Sequence, residues 1–113
     1  MTDAKLLKFV TDFRRGIVGR KGSDCMCFAI CAPLVTLLNM SGVESILRDG
    51  WIKYEIGRGN HYWIELADGR VIDPTADQFN RRLGKAMPKV YLGSPDILIH
   101  GSVGSQQPQE NAK

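Results

Sequence analysis

Cysteine, histidine and aspartate are the residue types through which this chain could carry covalent chemistry. Cys25, Cys27 and Cys31 stand close together, and the two histidines are His61 and His100. A thiol attacks as its thiolate, and the start of a helix lowers its pKa through partial positive charge and unbonded N–H groups. Cys25 and Cys27 both stand near such a start, because Ser23 or Asp24 is a natural N-cap for the apolar run that follows. A thiolate of this kind needs a base, and the base needs a third group to orient it. His61 opens the run His61-Tyr62-Trp63-Ile64-Glu65-Leu66, and Asp73 ends the short run after Asp68-Gly69. In a hairpin closed at Asp68-Gly69, His61 and Asp73 share the end far from the turn, where a carboxylate can fix an imidazole tautomer. Asp73 also has a simpler option, since Asp-Pro initiates turns. Asp77 and Gln78 are expected to be structural, and His100, in an apolar run near the tail, to be incidental.

The elements that must position these groups read as α+β. Leu6, Leu7, Phe9, Val10 and Phe13 recur at helical spacing over 4–15, with Thr2 and Asp3 as caps. The glycines at 16, 19 and 22 mark a loop over 16–23. A second, almost wholly apolar helix is expected from about Cys25 to Met40, a buried central helix and not a surface one, with Pro33 distorting it and Ser41-Gly42 ending it. Extended runs follow at 43–47, 51–56, 62–66 and 70–72, with 89–92 as a further strand, and Asp49-Gly50 and Asp68-Gly69 as hairpin turns. The expectation is a single domain over 1–100, with N-terminal helices packed on a small antiparallel sheet, and a disordered polar tail over 101–113.

The order of a cysteine at a helix start, a histidine on one strand and an aspartate on the next resembles the papain-like cysteine hydrolases, in particular their transglutaminase-like branch. Met26-Cys27-Phe28-Ala29 with Pro33-Leu34 and Gly42 is similar to the nucleophile helix of small bacterial and phage-type members. His61-Tyr62-Trp63, Asp68-Gly69 and Ile72-Asp73-Pro74-Thr75-Ala76-Asp77-Gln78-Phe79 are similar to their histidine–aspartate hairpin. The resemblance implies thiol chemistry with Cys27, His61 and Asp73 as nucleophile, base and orienting carboxylate. It also implies hydrolysis of, or acyl transfer from, an amide, peptide or thioester bond of a peptide or protein substrate. Counting from Cys27, Cys31, Leu34 and Leu38 fall at +4, +7 and +11, one buried stripe; counting from Cys25 gives Ala29, Ala32 and Thr36, a poorer one. Cys27 is therefore the expected nucleophile and Cys25 the reserve. The chain departs from the pattern in having no glutamine before Cys27, which leaves the Cys27 N–H as oxyanion donor, with Ser23, Asp24 or Tyr62 as helpers. A chain this short also leaves room for a partner protein that completes the cleft.

Bulk composition narrows the rest. With 113 residues, 43% hydrophobic and 24% charged, the chain suits one soluble domain. The +3 net charge is spread over pairs such as Arg14-Arg15 and Arg81-Arg82, which gives no reason to expect nucleic-acid binding. Neither a membrane span nor a secretory signal is apparent, and three clustered cysteines suit reduced thiols in a cytoplasm. No cofactor is expected. Two rival readings stand beside the enzyme: a catalytically inactive binding protein of phage or toxin-associated type on the same fold, and a zinc site built from Cys25, Cys27, Cys31 and His61. The latter lacks any Cys-x-x-Cys knuckle.

Overall fold

The computed structural model describes residues 1–19, 26–54, 57–84 and 86–101, with 51–54, 57–59 and Arg82 as backbone only. Its class is α+β. Helix α1, Asp3–Val18, starts where Thr2 accepts a hydrogen bond from the Lys5 N–H at 3.2 Å, and buries the four-residue stripe Leu6, Val10, Arg14 and Val18. It runs through Gly16, where the sequence suggests a loop. A helical glycine costs about 1 kcal/mol, and the burial of Val18 on the same stripe offsets it. The helix ends at Gly19, whose φ of 58° suits glycine.

Helix α2, Cys27–Met40, packs on the sheet through Cys27, Ile30, Cys31, Leu34 and Leu38. The helix is not buried all round as its apolar composition suggests: full burial is confined to that stripe, and Phe28, Leu37 and Met40 are exposed, because only one face meets the sheet and α1. Pro33 sits inside the helix, and both it and Ala29, whose carbonyl it leaves without an amide donor, face solvent. Gly42 at φ 85° ends the helix as expected, with the Val43 N–H returning to the Leu38 carbonyl. The Asn39 side chain then brackets the backbone of Ser45, accepting from its N–H at 3.1 Å and donating to its carbonyl at 2.9 Å, so the start of the sheet is fixed to α2.

Strands β1 (Ser45–Tyr54), β2 (Gly57–Leu66), β3 (Val71–Asp73) and β4 (Tyr91–Gly93) form an antiparallel sheet in chain order. The hairpin at Asp68-Gly69 is the expected one: Ile64 pairs with Ile72, and Gly69 has φ 90°. Asp49-Gly50 is not a turn. It lies within β1, where Asp49 opposes Tyr62 and Gly50 opposes His61. Ten paired positions along β1 and β2 outweigh a local turn preference, and Gly50 puts no side chain beside His61. The expected strand over 89–92 begins later, at Tyr91. The expected caps Ser23 and Asp24, the reserve nucleophile Cys25 and the tail from residue 102 lie outside the described residues.

Tyr62, Ile64, Leu66 and Ile72 join the main apolar core under α1 and α2. A second, smaller core gathers Ala76, Phe79 and Ile99, with Leu83, Met87 and Tyr91 against it. Arg14 ties the two regions together. Its guanidinium donates from α1 to the carbonyls of Pro74 (3.2 Å) and Lys89 (2.7 Å), and pairs with the Asp77 carboxylate at 3.1 Å. It is buried, whereas its neighbour Arg15 is exposed. Removing one partner of a buried, hydrogen-bonded pair costs about 3 kcal/mol. Arg14→Ala should therefore lower the urea-denaturation free energy by about that much, while Arg15→Ala should change it by less than about 0.5 kcal/mol. Equal effects would show that Arg14 does not fasten the Pro74 segment.

Candidate functional site

Asp73 ends β3 and is fully buried. Both readings of it hold, each on its own oxygen. Oδ1 accepts the Thr75 N–H at 3.0 Å and its hydroxyl at 3.4 Å, closing the turn at Pro74. Oδ2 lies 2.6 Å from His61 Nε2 and 2.8 Å from His100 Nε2. Burial alone would push this carboxyl up. The charge of His61, the hydrogen bond from His100 and that from His61 outweigh it and hold Asp73 well below the usual carboxylate range.

With Nε2–H given to Asp73, His61 turns Nδ1 the other way, where the Gln78 amide nitrogen lies at 3.2 Å. Gln78 is held in place by donating to Thr75 Oγ1 at 2.9 Å. The 3-10 turn Ala76–Phe79 carries Gln78 there and brings Phe79 edge-on to the imidazole, ring centroids 5.0 Å apart. Burial would drive His61 down, but the charge and hydrogen bond of Asp73, then the hydrogen bond and charge of Cys27, raise it to about 9.

Cys27 is the first residue of α2, and the cap residue Met26 supplies no side-chain hydrogen bond. Burial pushes its thiol up. Hydrogen bonds from His61, the Tyr62 backbone and Gln78, with the charge of His61, outweigh burial and lower it. The shifts of Cys27 and His61 run toward each other and favour a thiolate–imidazolium pair. Cys31, one turn along, has the opposite environment: burial first, then the charges of Asp73 and Cys27, raise it well above an ordinary thiol. Its S–H donates to the Tyr62 carbonyl at 3.7 Å.

The structure thus brings Cys27, His61 and Asp73 together. Of the expected oxyanion helpers, Ser23 and Asp24 lie outside the described residues, and Tyr62 turns its ring edge-on to Phe28 at 4.9 Å. Gln78 and His100 were expected to be structural and incidental, and both touch the site. Only the apolar run Ile97-Leu98-Ile99 before His100 hinted that the chain returns to the core there. Asp77 is structural, through Arg14.

Among the described residues, the metal-type cluster is His61, Asp73 and His100, with neither cysteine. Two ligands on tetrahedral zinc, each about 2.0–2.1 Å from the ion, lie roughly 3.3 Å apart. The N···O separations of 2.6 and 2.8 Å are those of shared protons. Shallow hollows among the described residues lie along Glu44–Ile46 and Glu65–Ala67 and beside Met1, Asp3 and Arg70. No helix among the described residues is long and apolar enough to cross a membrane. Neither a protein-family model, nor a curated protein, nor a solved structure matches the chain.

Two measurements follow from these environments. Iodoacetamide should alkylate Cys27 with a pH midpoint below the ordinary thiol value of about 8.5 and leave Cys31 unlabelled in the folded chain. His61→Ala should move the Cys27 midpoint upward, and an unchanged midpoint would remove His61 from the thiol's environment. The second concerns stability. A carboxyl depressed in the folded chain stabilises it above the unfolded pKa of about 4 and loses that contribution as pH falls. Wild-type denaturation free energy should therefore drop more steeply from pH 4 to 2 than that of Asp73→Asn, and parallel curves would refute the assignment.

Proposed function

We propose that the chain is a thiol-dependent hydrolase or acyltransferase of papain-like, transglutaminase-like type, acting through Cys27, His61 and Asp73 on an amide, peptide or thioester bond. The observation that carries the reading is the division of the His61 ring: Nε2 on a buried carboxylate, Nδ1 facing Gln78 and the Cys27 thiol. In this reading the Cys27 thiolate attacks the acyl carbon. The oxygen of the tetrahedral intermediate takes hydrogen bonds from the Cys27 N–H and from the Gln78 amide, which takes the role of the missing upstream glutamine in this reading. His61 gives its Nδ1 proton to the leaving amine or thiol, and a thioester remains on Cys27. Water or an amine then attacks, His61 takes a proton from it, and the thiolate returns. Asp73 stays ionised throughout and stabilises the imidazolium. Water as acceptor makes the activity that of a protease, amidase or deamidase; an amine makes it a transglutaminase or acyltransferase.

A peptide or protein substrate and a reducing, cytoplasmic setting suit the free, buried thiols of Cys27 and Cys31 among the described residues. One observation favours a second reading, a binding protein on the same fold. Cys27 is only 7% exposed. A protein partner that opens or completes the cleft would reconcile the two.

The test is a mass-spectrometric search for thioesters on Cys27 with labelled peptide, glutamine and acyl-donor libraries. Wild type should gain the acyl mass and Cys27→Ala should not, while Gln78→Ala should slow its formation by about 10²-fold. Absence of any adduct on a thiol that still alkylates at low pH would favour the binding protein.

A further inference from the structure

His100 reaches the site from the far end of the described chain. It is fully buried, its ring lies against Tyr91 (centroids 5.7 Å apart) and meets Trp63 edge-on at 5.2 Å. The turn that carries it is closed on itself: the His100 N–H bonds the Asp96 carbonyl at 2.6 Å, and the Asp96 N–H donates to His100 Nδ1 at 2.8 Å. A backbone N–H can only donate, so Nδ1 must be the bare, accepting nitrogen and the ring proton sits on Nε2. That nitrogen is the one 2.8 Å from Asp73 Oδ2.

We propose that His100 is a positioning residue of this site: its Nε2–H holds the Asp73 carboxylate so that Oδ2 faces His61, and the Asp96 N–H sets the tautomer that makes this possible. The carboxylate turns as one rigid plane about its Cβ–Cγ bond. Without His100 that turn is resisted by the Thr75 contacts on Oδ1 and by His61 itself on Oδ2, so the group being oriented would have to help orient its own partner. With His100 in place, Oδ2 is held from two sides, and the imidazole of His61 meets a charge whose direction is set. The groups that face His61 are Cys27 from α2, Asp73 from β3, Gln78 from the 3-10 turn and the His100 ring, whose centroid lies 6.0 Å from that of His61 and which bonds the same Asp73 oxygen. The consequence for the thiol rests on the reading of Cys27 as nucleophile; the consequence for His61 does not.

Two amide replacements separate a packing role from a positioning one. An asparagine amide ends near where Nδ1 lies and can keep the Asp96 contact, while a glutamine amide reaches toward Nε2 and can donate to Asp73. The His61 ring is titrated by NMR in the full chain of wild type, His100→Asn and His100→Gln. Relative to wild type, the Asn variant should titrate about one pH unit lower, and the Gln variant should recover most of that loss. An Asn variant that titrates like wild type, or a Gln variant that falls as far as Asn, overturns the proposal. Should either variant fail to fold, the wild-type ring decides it. Nitrogen-15 shifts must report a bare Nδ1 and a protonated Nε2 on His100, and the opposite tautomer, unable to donate to Asp73, overturns the proposal by itself. A chain that shows the expected His61 behaviour yet forms no thioester would sink the thiol-enzyme reading and leave the positioning role standing.

Discussion

A carboxylate with no contact to water constrains most of this structure. Asp73 is fully buried and stays ionised only because donors converge on both of its oxygens. Leaving such a charge unpaired would cost several kcal/mol, so every element that supplies a donor has to arrive in register. Thr75 is local. His61 requires the β2–β3 hairpin closed at Asp68-Gly69, with Ile64 opposite Ile72. His100 requires the chain to pass through β4 and fold back at Asp96. Arg14, from the first helix, grips the Pro74 carbonyl next to the carboxylate. Sheet order, both cores and the closing turn can thus be read as the support of one charged group.

The same carboxylate explains why two cysteines one helical turn apart differ. Cys27 has His61 between itself and Asp73, so the negative charge reaches it as an imidazolium that stabilises the thiolate. Cys31 has no such screen, and Asp73 and Cys27 both disfavour its ionisation. The two share residue type and the buried face of α2, but only Cys27 stands at the helix start with an imidazole beyond its sulfur, and this is why a buried stripe could rank Cys27 above Cys25 without explaining reactivity.

What could be read from the sequence was what short-range pattern encodes. Thr2 as cap, Gly42 as stop, the Cys27-Cys31-Leu34-Leu38 stripe and the Asp68-Gly69 hairpin each depend on residues within a dozen positions. The errors arose where a tertiary contact overrode a local preference. Gly16 lies inside a helix because Val18 is buried beyond it, and Asp49-Gly50 lies inside a strand because β2 pairs along its whole length. Gln78 and His100 escaped for a different reason. Neither belongs to a periodic pattern, and the bond between His100 and Asp73 spans 27 residues with no local trace of the pairing.

His61, Asp73, Thr75 and His100 are all fully buried in a chain of only 113 residues. A domain of this size has little interior to spare, and well-packed apolar residues of similar volume are commonly as stabilising as a buried ionic cluster, or more so. The apolar frame around the cluster also bears a cost, since Trp63 Nε1 is buried with no hydrogen-bond acceptor among the described residues. Stability by itself therefore gives no reason to place two imidazoles, a carboxylate and a hydroxyl at the centre of the fold. A site in which proton positions are fixed in advance does give one: each tautomer here is set by a neighbour whose own role is fixed, from the Asp96 N–H through His100 and Asp73 to His61. That chain of directed hydrogen bonds ends at the Cys27 sulfur, at the start of a helix, where a proton must move if the thiol is to act.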